Sequence, residues 1–119
     1  MAAPNIVGVT NITGKTNVLS VTTSATAIVT NPASSNSVYK INSLILSNIN
    51  GSNPTDVNVD LYRGNTAYYL AYTISVPADS TLVALSKDAG IYLEEGDAIR
   101  VMAGSSSYIS AVCSYEVIS

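Results

Sequence analysis

Residues 56–76 read DVNVDLYRGNTAYYLAYTISV. From 56 to 63 the pattern alternates, with Val57, Val59 and Leu61 on one face and Asp56, Asn58 and Asp60 on the other. A period of two is that of a half-buried β-strand, because successive side chains leave a pleated backbone on opposite sides. GNT at 64–66 carries turn chemistry. AYYLAYTISV at 67–76 then resumes the alternation, and its pattern predicts Tyr68, Leu70, Tyr72, Ile74 and Val76 on one inward face. Strand, tight turn and strand make an antiparallel hairpin, and the rest of the chain is read outward from it.

Upstream, SVYKINSLILSNI (37–49) is apolar on both parities around Leu44, Ile45 and Leu46, as expected of a strand through the centre of a sheet. NGSNPT (50–55) is a loop. Downstream, PADS (77–80) breaks the chain, TLVALS (81–86) resumes it and IYL (91–93) is a short strand. DAIRVMA (97–103) places Ile99, Val101 and Ala103 inward with Arg100 and Met102 outward. After the GSSS turn (104–107), SYISAVCSYEVI (107–118) puts Ile109, Ala111, Cys113, Tyr115 and Val117 on one face. Before Val38 the strand-like pieces are NIVGVTNI (5–12), TNVLSVT (16–22) and ATAIVTN (25–31), with GK at 14–15 and NPASSNS at 31–37 read as turns or loops. Residues 1–30 are thus either N-terminal edge strands or a docking arm, and 31–119 is the β-sandwich domain. Seven to ten short strands with turn signals about every 8–12 residues predict an all-β fold, an antiparallel β-sandwich of jelly-roll-like form. No helical period and no internal repeat competes with it.

Composition agrees. The 119 residues fit one domain. They contain no Phe and no Trp, so 13 Val, 11 Ile and 8 Tyr carry the apolar load, and these side chains suit a pleated surface. The 17 Ser, 11 Thr and 11 Asn compete with helical backbone for hydrogen bonds. A net charge of −3 with only 5 Lys+Arg supplies too few cations to face phosphates, so no nucleic acid is expected as partner. MAAPNIVGV has no basic n-region, so no signal peptide is expected, and no apolar run reaches the ~18 residues of a spanning helix, so no membrane is expected either. The lone Cys113 cannot make an internal disulfide, which fits synthesis in a reducing cytoplasm.

Histidine is absent, which removes Ser-His-Asp and Cys-His catalysis and imidazole metal sites together. Cys113 alternates with inward residues and reads as a small core side chain. DVNVD (56–60) matches the first five positions of a calcium loop, but Leu61 stands where that loop needs Gly and Ala67 where it needs a bidentate Glu. The sequons at Asn11 and Asn50 would matter only in a secreted eukaryotic protein. KDAGIYLEEGDAIR (87–100) is the stretch closest to chemistry, for it gathers Lys87, Asp88, Glu94, Glu95, Asp97 and Arg100 in a chain with 5 Lys+Arg and 8 Asp+Glu. It reads as a hydrated turn aligning IYL with AIRV, with Gly96 at positive φ and Asp97 bonding local N–H groups; a weak metal site or an acid/base pair are the alternatives. If it touches a partner, a basic patch on a neighbouring subunit is expected. Tyr68, Tyr72 and Tyr115 fall on inward faces, whereas Tyr39, Tyr69, Tyr92 and Tyr108 are placed at an edge or surface. Exposed tyrosines serve protein interfaces and sugar-binding platforms; the alternative is core filling in a chain without Phe. No catalytic residue, cofactor or metal ligand is assigned.

The order VYKINSLILSNINGSN, DVNVDLYRG, YYLAYTISVPADSTLVALSKDAGIYLEEGDAIRVMAGSSS, YISAVCSYEVIS resembles small virion accessory proteins of tailed bacteriophages, those of marine cyanophages above all, and so does the start MAAPNIVGVTNITGKT. The shared cadence is a strand ending in S-N, a VxVxLYRG strand, Y-L-A, an I-x-V-P-A-x-S/D-T-L run and L-x-x-GD-x-I/L-R-V. The resemblance implies a compact, non-enzymatic β-sandwich in the virion, made in the host cytoplasm and homo-oligomeric, with a trimer favoured. It further implies a capsid decoration (cement) protein on the major capsid protein, or else a tail, neck, baseplate or fibre accessory protein. A carbohydrate-binding module for host attachment is the alternative of another class. The candidate partner contacts are Ile6, Val7 and Val9 in the arm and Tyr69, Tyr92 and Tyr108.

Overall fold

The computed structural model describes Gly8 and residues 10–119. Its strands are β1 (Ile12–Ser20), β2 (Thr26–Thr30), β3 (Val38–Asn48), β4 (Thr55–Arg63), β5 (Thr66–Val76), β6 (Thr81–Leu85), β7 (Ile91–Leu93), β8 (Ala98–Ala103) and β9 (Ile109–Ile118), with a short 3₁₀ turn at Lys87–Ala89. The 64–65 turn is decided by its residues: Gly64 and Asn65 both have positive φ (59° and 61°), and Arg63 pairs directly with Thr66. Two central residues of positive φ form the primed turn whose twist matches that of flanking strands, so the hairpin β4–β5 closes tightly.

Two antiparallel sheets result. The first has the order β1-β9-β3-β6, with β7 beside β6 on β3, and the second has the order β2-β8-β4-β5. Each lateral position holds one member of a sequence-adjacent pair in each sheet: β1 over β2, β9 over β8, β3 over β4 and β6 over β5. The fold is the expected all-β sandwich, and this alternation of strand pairs between sheets is that of a jelly roll.

The core lies between the sheets. Ile41, Leu44 and Leu46 of β3, Val59 of β4, Ile99 of β8 and Ile109 of β9 are each 0% exposed, and full burial of each such side chain contributes about 1.5–3 kcal/mol. Residues of β3 are buried on both parities for a local reason. A register shift between Ile41 and Ser43 leaves Asn42 without a partner, so Ile41 and Leu44 both face inward. The central position of β3 is as the sequence predicts: β9 lies on one side and β6 and β7 on the other.

Several local expectations change. The GK turn does not exist, because Gly14 and Lys15 sit mid-strand in β1 opposite Glu116 and Tyr115, in a nine-pair ladder with β9. In the segment read as edge strands or arm, Ile12–Ser20 and Thr26–Thr30 are the outer strands of the two sheets. IYL and AIRV do not pair: β7 lies in the first sheet on β3 and β8 in the second between β2 and β4. The charged turn between them therefore crosses from one sheet to the other. Asp60 is not on a solvent face; it is 3% exposed beneath Arg100. Of the five residues placed inward on β5, only Val76 is buried; Tyr68, Leu70, Tyr72 and Ile74 are exposed. β5 is an edge strand whose opposite layer, β6, is five residues against its eleven. Register shifts against β4 and a positive φ at Thr73 also break its alternation.

Candidate functional site

The charged turn folds onto its own chain. Arg63, the last residue of β4, donates from Nε to Asp97 Oδ1 at 2.9 Å and from Nη2 to Asp97 Oδ2 at 2.5 Å and Glu94 Oε2 at 3.0 Å. Asp97 Oδ2 also accepts the Glu94 N–H at 2.9 Å, and Glu95 Oε2 accepts the Asn36 N–H at 2.8 Å. Gly96 takes φ 89°, as its place in the turn requires. Asp97 is 3% exposed, so the turn is less hydrated than its sequence suggests. The cation that answers it within the chain is Arg63. Hydrogen bonding to Asp97 raises the Arg63 pKa above its ordinary value, against the opposing effect of desolvation. Asp97 and Glu94 thus share Arg63 while Glu95 turns away to the Asn36 N–H, and among the described residues no three potential metal ligands come together.

Two buried asparagines pin the loops at opposite ends of the sandwich. Asn31, fully buried, donates from Nδ2 to the Ser37 and Leu93 carbonyls and accepts from Ser35 Oγ. Asn48, 2% exposed, donates to the Asn53 and Val76 carbonyls while its Oδ1 accepts the Asn50 N–H. Neither was singled out as a site in the sequence, since asparagines at strand ends are ordinary; only three-dimensional placement shows that each satisfies groups from separate segments. A third tie joins Asp60 to Arg100, Nε to Oδ1 at 3.0 Å, with the guanidinium 3.9 Å from the Tyr62 ring centroid. These are cross-strand neighbours in register, and cation–π contact adds to the ion pair. Cys113 is fully buried, and burial pushes its thiol up to about 11.

What the polar residues leave open are two apolar surfaces. The first crosses the outer face of the first sheet. Val18 pairs with Val112, Val112 with Ile45 and Ile45 with Val83, so four β-branched or aliphatic side chains form one row over β1, β9, β3 and β6. Val18 is 74% and Val83 56% exposed. At ~4.8 Å between strands the row spans about 14 Å. Hydroxyl rows flank it: Ser20, Ser110, Ser47 and Thr81 on one side, Thr16, Ser114 and Ser43 on the other. A shallow depression of about 360 Å³ lies where β1 and β9 meet, lined by Val18, Leu19, Ser20, Ser110, Ala111 and Val112. The second surface is β5 itself, where Tyr69 and Tyr72 meet edge to face with ring centroids 4.7 Å apart.

The residues singled out as contacts are dispersed. Ile6, Val7 and Val9 lie outside the described residues. Tyr69 is exposed on β5 and Tyr92 on β7, while Tyr108 is half-buried and its hydroxyl accepts from Asn53. Tyr92 faces Lys40 at one end of β3 and Tyr108 binds Ile49 past the other end, a separation of about 30 Å at ~3.3 Å per residue. These three rings therefore share no platform. Tyr39, read as peripheral, stacks on Tyr115 with centroids 5.5 Å apart, and Tyr115 is buried as predicted. No described helix is long and apolar enough to cross a membrane.

No family model and no curated protein matches the chain. Among solved structures the fold is shared with a chain from the disulfide-linked pili that form Bacillus endospore appendages. The match has a TM-score of 0.50 at 17% identity, over 99% of this chain and 95% of that one.

Proposed function

We propose that the protein is a non-enzymatic structural subunit of a phage particle, placed first as a capsid decoration protein that binds and stabilises the assembled head. The observation that supports this best is the apolar row Val18–Val112–Ile45–Val83, left uncovered between two flanking rows of neutral hydroxyls, with the charged pair Lys40–Glu116 one rung beyond them. Such a surface suits burial on a large partner, for it carries apolar area to the contact with little charge to desolvate. The ion pairs described above are committed inside the fold, and the thiol is buried and kept protonated. A subunit that binds only the assembled lattice stabilises it by mass action.

The pilus protein of the same fold adds support for an assembly role of some kind, although a disulfide-linked assembly is not open to a chain whose single cysteine is buried. A tail, neck or fibre position is the rival within the particle. The test is to count copies per particle and to measure occupancy on heads with Val18→Lys and Val83→Lys proteins. Lattice-scale copy numbers with occupancy lost in both folded variants support the reading. A few copies per particle move the protein to the tail, and unchanged occupancy removes the row from the contact. Deleting residues 1–7 tests the arm carrying Ile6 and Val7 without stripping β1, whose ladder begins at Ile12.

A further inference from the structure

We propose that β5 is a self-association edge, at which two copies of this chain meet antiparallel about a two-fold axis and pack their Tyr69–Tyr72 pairs together. Sheet edges are managed in stable proteins by shortness, charge or cover. The other described edges use these devices: β2 and β6 are five residues each, β7 is three and faces Lys40, and β1 carries Lys15. β5 has eleven residues, and no charged side chain occurs from Gly64 to Ala78. It presents Tyr68, Tyr69, Leu70, Tyr72 and Ile74, each at least 40% exposed.

The occupant follows from three features. A neutral strand holds no charge that would select a complementary foreign partner, and a second copy meets it with the same neutral chemistry. The strand also places like residues at equal distances from the Leu70–Ala71 bond at two positions: Tyr69 mirrors Tyr72, and Thr66 mirrors Ser75. An antiparallel two-fold there sets Tyr69 of one copy against Tyr72 of the other, extending the edge-to-face pair into a four-ring cluster. Area is the third. Tyr68, Tyr69 and Tyr72 are 56%, 52% and 63% exposed, which leaves about 350 Å² of ring surface per copy, nearly half of the ~800 Å² per partner in a standard interface. Leu70, Ile74 and the strand flanks add to that.

The register shifts against β4 and the positive φ of Thr73 disrupt a regular ladder on this edge. Side-chain packing therefore carries the contact, and it closes as a pair instead of propagating as an open sheet. The inference does not rest on the particle reading, because it concerns the isolated protein.

Light scattering coupled to gel filtration over a wide concentration range tests it. Wild type should run as a dimer, and the double variant Leu70→Lys/Tyr72→Lys should associate at least tenfold more weakly while keeping its circular-dichroism spectrum. Should that variant fail to fold, Tyr69→Ser/Tyr72→Ser takes its place, and amide exchange on wild type should show protection of 67–73 that rises with concentration. A wild type that stays monomeric, a trimer, or a dimer untouched by the variants overturns the proposal.

Discussion

Replacing Asp97 by Asn separates a structural knot from a functional site. The carboxylate is 4% exposed, takes both Nε and Nη2 of Arg63 and accepts the Glu94 N–H. Breaking a fully buried pair costs about 3–5 kcal/mol. Arg63, however, is 45% exposed and rehydrates once released, so the cost falls to about 2–3 kcal/mol. Glu94 is 63% exposed and makes one bond to the same guanidinium, so Glu94→Gln should cost no more than ~0.5 kcal/mol. With a urea slope of about 2 kcal/mol per M, the Asp97→Asn midpoint should fall by about 1–1.5 M and that of Glu94→Gln by less than ~0.3 M. A double-mutant cycle with Arg63→Met should place most of the coupling on Asp97. Raising salt to ~1 M should erase the Glu94 contribution and leave much of the Asp97 one, since exposed pairs are screened first. Equal costs for the two variants, or an Asp97→Asn midpoint indistinguishable from wild type, would refute the reasoning.

Asn31→Ala and Asn48→Ala should each cost about 1–3 kcal/mol in chemical denaturation, because the first leaves two buried carbonyls, and the second one buried and one half-buried carbonyl, without their side-chain donor; a surface-like loss below ~0.5 kcal/mol would remove the pin assignment. Cys113 should resist alkylation in the native protein and react fully in denaturant. Its folded pKa is raised, from 9.0 to about 11, so its contribution to stability is complete below pH 9 and is lost as pH rises toward 11. Urea midpoints that do not fall across that window, or rapid native alkylation, would contradict the burial argument.

The strands were legible because alternation survives wherever one face is buried against a full opposite layer, as for Val57 and Val59 of β4 or Ile99, Val101 and Ala103 of β8. It misled at β5, where an equally good alternation of Tyr68, Leu70, Tyr72 and Ile74 has too little of β6 above it to make an inside. Periodicity reports a preferred face and says nothing about whether the facing layer is long enough to cover it. The apolar run Leu44–Ile45–Leu46 read as apolar on both parities for two reasons: the register shift at Asn42 lets Ile41 and Leu44 share the inner face, while Ile45 belongs to the outer row. The knot was partly legible, since Gly96 and Asp97 are turn chemistry. Its cation was not, for Arg63 lies 34 residues away in sequence and meets Asp97 only when β4 and β8 pair in the register that sets Tyr62 opposite Ala98. The row Val18–Val112–Ile45–Val83 was invisible for the same reason: it is a property of register across four strands and of no single segment.

The two apolar surfaces bear a geometric relation that makes them testable together. Antiparallel edge-to-edge meeting of two β5 strands requires a two-fold axis perpendicular to the sheets, which sets the two second sheets side by side and leaves both first sheets on the same side. The two Val18–Val83 rows of such a dimer would face one direction, as two contacts on a single rigid body. A dimer docking on a repeating lattice would then bind with the avidity of linked sites, where the second contact forms at an effective concentration set by the dimer's own spacing. Leu70→Lys/Tyr72→Lys should therefore lower occupancy on particles by more than tenfold although neither residue lies on the docking face. Val18→Lys should lower it with the dimer intact. If the β5 variant is monomeric yet binds particles as tightly as wild type, the two surfaces act independently and the bivalent arrangement is wrong, whatever becomes of either surface alone.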